Sequence, residues 1–256
     1  MILQEFKARL KSLLLWIVAT VAMMAWGMVE YASMAPALSM NVFMEKLPKV
    51  MMAMYGMYGV DLNSLRGYFG VMIFFVSIIL AVHGAFLGSS LIYNEFKDRT
   101  AEFLFSRPSS RIRILLRKFI AGLLMVVIFQ SVMAIVDAVI FYELEGEGLL
   151  LPSTFALLVS HFFFYCLGFG LAALLPPKRG QRISLIVIVL GYLAVVFSQL
   201  LDREGIKNMT PIGLFGNKFL EKELSEFYFP AAVFLGGALL LMFLGLKRFE
   251  QRDLEI

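Results

Sequence analysis

The chain has 256 residues, 60% of them hydrophobic and 16% charged, with a net charge of +4 and a mean hydropathy of +0.82. A soluble domain is about 45–50% apolar and about 25% charged, so this composition excludes a soluble enzyme, a nucleic-acid-binding domain and a disordered chain. The excess is gathered into runs of about 18 or more apolar residues, each able to cross a bilayer core of about 30 Å, which predicts an all-α polytopic membrane protein.

In chain order, Leu3, Phe6, Leu10, Leu13 and Leu14 follow helical spacing, with Gln4, Glu5, Lys7 and Lys11 opposite. This pattern predicts an N-terminal interfacial helix lying on the membrane surface. A first span follows over 12–29; it is longer than a signal-peptide core and ends in Trp26 and Glu30, so it reads as retained. The segment 30–67 is rich in methionine (Met40, Met44, Met51, Met52, Met54, Met57). A second span over 68–92 carries His83 and the Gly84/Gly88 pair, the GxxxG spacing that lets helices pack closely. A third, over 118–141, places Gln130 and Asp137 on one face. An ionisable group at mid-membrane costs about 2.5–3.5 kcal/mol and is a candidate for function. The loop 142–153 carries Glu143, Glu145 and Glu147 and no basic residue.

A fourth span over 154–175 contains His161, expected within reach of Asp137, and Cys166, which as the single cysteine excludes an intramolecular disulfide or a CxxC site. Gln130, Asp137, His161 and His83 are thus the candidate translocation-path polar residues. A fifth span covers 183–201, the segment 202–226 ends in an amphipathic stretch from Phe219 to Phe227, and a sixth span covers 227–246. Six spans put both termini on one side. Of the 23 Lys and Arg residues, 16 fall on the terminal side and 7 on the other, so the positive-inside rule predicts cytoplasmic termini. The whole chain, 1–256, reads as a single transmembrane domain.

The segment between spans two and three, YNEFKDRTAEFLFSRPSSRIRILLRK, is the most informative. Phe96, Thr100, Phe103 and Leu104 share a face at helical spacing, with Glu95, Asp98, Arg99 and Glu102 on the others. Arg107-Pro108 interrupts the helix. Ser109 or Ser110 can cap a new one, which carries Arg111, Arg113, Arg117 and Lys118 at the headgroup level. These residues alone leave two readings open: an interfacial elbow anchored on anionic lipid, or a docking element for a cytoplasmic partner.

Glu95, Thr100, Glu102, Arg107-Pro108-Ser109-Ser110-Arg111 and Lys118 resemble a family pattern of an acid, a Gly-Thr pair, a Pro-x-Ser-Arg turn and a basic residue. That pattern belongs to membrane subunits of type-2 ABC exporters, including the sodium-exporter and nitrous-oxide-reductase-accessory branches. Leu47-Pro48, Gly67-Tyr68 and the closing Phe249-Glu250-Gln251-Arg252-Asp253-Leu254 extend the resemblance along the chain. The departure is Arg99, where the family often has glycine.

The resemblance implies a permease subunit in the plasma membrane of a prokaryotic cell. It implies a coupling helix, with Glu95, Arg99, Thr100, Glu102, Phe103, Arg107, Pro108 and Arg111 as the ATPase-coupling residues. It also implies a second copy of the chain or a paralogous permease, a surround of membrane lipid, and export as the direction. The chain contains no G-x-x-x-x-G-K-[ST] motif, so it carries no cofactor of its own, and ATP-Mg is expected on a separate ABC ATPase subunit. No intramembrane protease or hydrolase motif is present either. The competing expectation is a secondary transporter or channel using Asp137, His161 and Gln130.

Overall fold

The computed structural model describes residues 2–34, 46–105, 109–146 and 148–251. Six long apolar helices dominate it: α1 (Ile2–Met34), α3 (Leu65–Lys97), α5 (Arg111–Glu143), α6 (Leu150–Leu174), α7 (Pro177–Leu200) and α10 (Ser225–Gln251). Short helices join them: α2 (Lys49–Met54), α4 (Ala101–Phe105), α8 (Glu204–Lys207) and α9 (Pro211–Leu214), with a 3-10 turn at Phe219–Glu221. At about 1.5 Å per residue even the shortest long helix exceeds a bilayer core, and each extends past its apolar run at one or both ends.

The expected interfacial helix is not a separate element. α1 runs unbroken from Ile2 to Met34, because neither proline nor glycine interrupts it before Gly27 and the Glu5–Arg9 pair spans one turn at 3.4 Å. The amphipathic segment is helical, with Glu5, Arg9, Phe6, Leu10 and Leu13 turned toward the protein and Gln4, Lys7 and Lys11 exposed.

α6 is the central helix and packs against α3, α10, α7 and α5. Its contact with α3 is glycine-mediated: a Cβ on Gly84 would stand 2.7 Å from His161 O, one on Gly88 2.2 Å from Tyr165 O, and one on Gly168 2.3 Å from Ala85 O. Only hydrogen at these positions allows the backbones to approach so closely. Phe69, Phe129, Phe164 and Phe169 fill the interior, and Tyr165 on α6 donates to Phe119 O of α5 at 2.6 Å. The outward faces of α5, α7 and α10 remain apolar, as lipid contact requires.

Away from the termini, the chain from 201 to 224 folds back into the bundle. Ile212 and Phe215 are fully buried, Phe219 packs on Phe227 with centroids 4.5 Å apart, and Asn217 donates to Gly56 O. Gly70 lies under Asn217 O, which a Cβ would approach to 2.1 Å. The amphipathic stretch expected from Phe219 to Phe227 is therefore a 3-10 turn, a link and the start of α10, its aromatic residues turned inward. Of the methionine-rich loop, Met40 and Met44 lie outside the described residues, as does Glu147.

Candidate functional site

At the end of the bundle that carries both termini, three helices meet around one buried cation. Lys118, in the second turn of α5, has a side chain only 1% exposed. Its Nζ donates to Glu95 Oε1 of α3 at 2.6 Å and to Glu5 Oε1 of α1. Thr100 donates to the other oxygen of Glu95 at 2.5 Å. Beside this cluster Arg9 donates to Ser90 Oγ at 2.5 Å and to Ser90 O at 2.9 Å. A buried charge is tolerated only when paired and hydrogen-bonded, and two carboxylates meet that need here. Sequence reading put Lys118 among headgroup-level cations; the structure corrects this. Arg113 and Arg117 point outward while Lys118, about 100° further round the helix from Arg117, points in.

The link from α3 to α5 also differs from the single helix expected over 93–107. α3 ends at Lys97, where Asp98 N closes onto Asn94 O at 2.8 Å. The chain then turns through Arg99, whose φ is +56°. This is the left-handed conformation that glycine adopts freely and a side chain disfavours, at the position where the resemblance places glycine. Thr100 N returns to Glu95 O at 2.9 Å, and α4 follows. On α4, Ala101 is buried and Leu104 half-buried against the core, whereas Glu102 and Phe103 face outward, Phe103 being 70% exposed.

Phe96 therefore does not share a face with Phe103. It packs edge-on against Phe249 of α10, centroids 6.3 Å apart. Arg107 and Pro108 lie outside the described residues, as do Arg252, Asp253 and Leu254. Ser110 rather than Ser109 caps α5, accepting from Arg113 N at 3.4 Å. Arg111 donates to Glu250 O at 3.4 Å, tying this end of α5 to α10.

Deeper in the bundle, His83 and His161 form a buried pair, Nδ1 to Nε2 at 2.9 Å. The amide nitrogen of Gln130 is 3.0 Å from His161 Nδ1 and 3.0 Å from Leu157 O. Since that nitrogen can only donate, His161 Nδ1 accepts, its Nε2 carries the proton, and His83 Nδ1 accepts in turn. Phe129 and Trp16 enclose the pair.

Both ring nitrogens of His161 are thus taken, so the expected contact with Asp137 is not made. Asp137 lies about two turns along α5 from Gln130, fully buried, with Ser153 of α6 facing it. The Ser153 hydroxyl donates to Leu150 O at 3.0 Å, and neither oxygen of Asp137 meets hydrogen-bond geometry among the described residues. The structure brings His83, His161 and Gln130 together and leaves Asp137 apart. Gly84 and Gly88 sit in the α3–α6 contact beside the histidines.

Sequence reasoning missed the roles of Glu5, Arg9, Ser90 and Lys118. The one legible signal was the Glu5–Arg9 spacing, which fits one helical turn; their partners lie on other helices.

Six helices long and apolar enough to cross a membrane define a multi-pass membrane protein. The chain belongs to the ABC-2 family of transporter proteins, whose model matches residues 1–254. Members of that family are the permease components of transporters that generally work with an ABC ATPase subunit. No curated protein and no solved structure matches the chain.

Proposed function

We propose that this chain is the permease subunit of an ATP-driven exporter, with both termini in the cytoplasm and the segment 98–111 received by a separate ABC ATPase that carries the ATP-Mg. The observation that carries this reading is the junction at Lys118. Glu102 and Phe103 of α4 face outward, while Thr100 at the base of α4 is bonded to Glu95. Glu95 is ion-paired to Lys118, and Lys118 to Glu5. A displacement of α4 by a partner would therefore act at once on α1, α3 and α5. An interfacial elbow that only anchored lipid would not need a buried cation shared by two acids.

The permease acts as a pair of chains, two copies of this one or this one with a paralogue, in the plasma membrane of a prokaryotic cell. His83, His161, Gln130 and Asp137 supply the polar side chains nearest a translocation path. The chain resembles the sodium-exporter and nitrous-oxide-reductase-accessory branches of that family.

Glu102 and Phe103, not Glu95, are the residues with which to test docking. Reversing the charge at Glu95 would break the internal junction. The double variant Glu102→Lys/Phe103→Ala, reconstituted with the ATPase, is expected to lose at least about tenfold of ATPase affinity, as truncated interface anchors do, with its own thermal unfolding unchanged. Unaltered docking in this variant contradicts the proposed contact. A secondary transporter would be favoured instead if the chain alone in liposomes moved ions down a gradient and Asp137→Asn abolished that flux; Asp137, a buried carboxylate without an ion partner among the described residues, is the feature that makes this second reading specific.

A further inference from the structure

Asp137 stands on α5 where α6 packs against it, and it has no exposed surface. Neither of its carboxyl oxygens has a hydrogen-bond donor, and it forms no ion pair among the described residues.

α1, α3, α6 and α10 pack against α5, and their charged and titratable side chains are engaged elsewhere or turned away. Glu5 and Glu95 hold Lys118, about five turns along α5 from Asp137. His83 and His161 are bonded to each other and to Gln130. Tyr165 donates to Phe119 O, and Cys166 lies more than about three turns along α6 from Ser153. Tyr31 and Tyr68 pack ring on ring, 5.1 Å apart, and Tyr228 packs on Phe155. Glu30, Arg66, Glu226 and, on α5 itself, Glu143 are exposed. The remaining ionisable groups of these helices cluster with Lys118 at the terminal end.

Ser153 of α6 is the polar side chain that faces Asp137. Its single hydrogen is given to Leu150 O at 3.0 Å, so its oxygen can only accept. Ser160, whose hydroxyl is also unpartnered, lies about two turns away along α6. The bond left open between α5 and α6 at this level is therefore one in which the carboxyl group of Asp137 is the donor. An ionised carboxylate has no hydrogen to give. Here it would also have neither a donor nor a cation to hold its charge, and a group so placed takes up a proton instead.

We infer that Asp137 is a proton-binding site of the permease: its carboxyl group carries a proton while α5 is packed on α6, with Ser153 Oγ as the acceptor, and releases it when the two helices part. Release in the packed state would leave a buried charge without a partner, so loss of the proton and separation of α5 from α6 favour each other. The site would exist in an exporter and in a secondary transporter alike, so its test stands apart from theirs.

The test is infrared difference spectroscopy of the full chain in lipid at neutral pH, wild type against Asp137→Asn, with thermal unfolding as the folding control. Asparagine keeps the shape and can donate to Ser153, so an unchanged unfolding midpoint is expected. The substitution should remove one carboxylic-acid carbonyl band and no carboxylate band. Should the variant fail to fold, the wild type with isotope-labelled aspartate gives the same reading, as one labelled acid band among ionised aspartates. Ser153→Ala is expected to keep the band and move it to higher wavenumber, because the hydrogen of the acid loses its acceptor. In heavy water the band should shift more slowly than the amides of exposed loops exchange, since release waits for the helices to part. Loss of carboxylate bands in place of the acid band would overturn the inference. A band unmoved by Ser153→Ala would overturn the assignment of the acceptor, and one that never shifts in heavy water would overturn release.

Discussion

Lys118 is the residue on which the terminal end of the bundle turns. With its side chain 1% exposed and two carboxylates as partners, its removal leaves Glu95 without an ion partner among the described residues and Glu5 with Arg9 alone. Lys118→Met is expected to destabilise the protein by about 3–5 kcal/mol, the usual cost of breaking a buried pair from one side, and adding Glu5→Gln and Glu95→Gln should recover much of that loss. Thermal unfolding of the three variants in one detergent measures both effects; a single variant as stable as the wild type would show that the cation is not needed. Arg99 makes the opposite prediction. Held at φ +56°, it carries a strain of about 1 kcal/mol that glycine would relieve. Arg99→Gly should therefore leave stability unchanged or raise it by up to about 1 kcal/mol, after the glycine entropy cost, whereas Arg99→Val should lower it.

The helices themselves were largely legible in the sequence, because a run of apolar residues long enough to cross a bilayer has few other ways to satisfy its backbone. What could not be read lay where local and tertiary signals disagree. The bend after Lys97 has no proline or glycine to announce it. A left-handed Arg99 is chosen by the hydrogen bonds of Asp98 and Thr100 to the end of α3, so periodicity ran one helix through the turn. Lys118 looked like a headgroup anchor because three arginines of that type surround it in sequence; its inward direction is fixed by acids on α1 and α3. His161 was correctly placed in a span, but pairing across helices depends on rotation and depth, which hydropathy does not encode, and its partners are His83 and Gln130. The α3–α6 contact makes a prediction at this scale. Gly88→Leu must push Tyr165 O, 2.2 Å from an added Cβ, and so separate the two helices. A loss of about 1–3 kcal/mol or more is expected, with weakening of the nearby His83–His161 bond, readable in the histidine NMR signals. Unperturbed signals and stability would mean that these helices do not pack as closely as described.

At the scale of the whole molecule the polar groups are arranged by depth. The terminal end carries the Lys118 junction, the middle the His83–His161–Gln130 chain, and Asp137 lies beyond it toward the far end. α6 is held to α3 by glycine-mediated backbone contact and by the His83–His161 hydrogen bond. In the exporter proposed above, energy would be supplied at the end that carries α4 and cargo would leave at the other. The family assignment supplies the transport role; the outward face of α4 is where a driver would engage. Engagement of a separate ATPase can be read from the mass of the complex extracted from its native membrane in mild detergent. An ATPase with a Walker motif is expected at one per copy of this chain, released when Glu102 and Phe103 are replaced. A chain that emerges alone or only with copies of itself, under the gentlest extraction that keeps it folded, would contradict it.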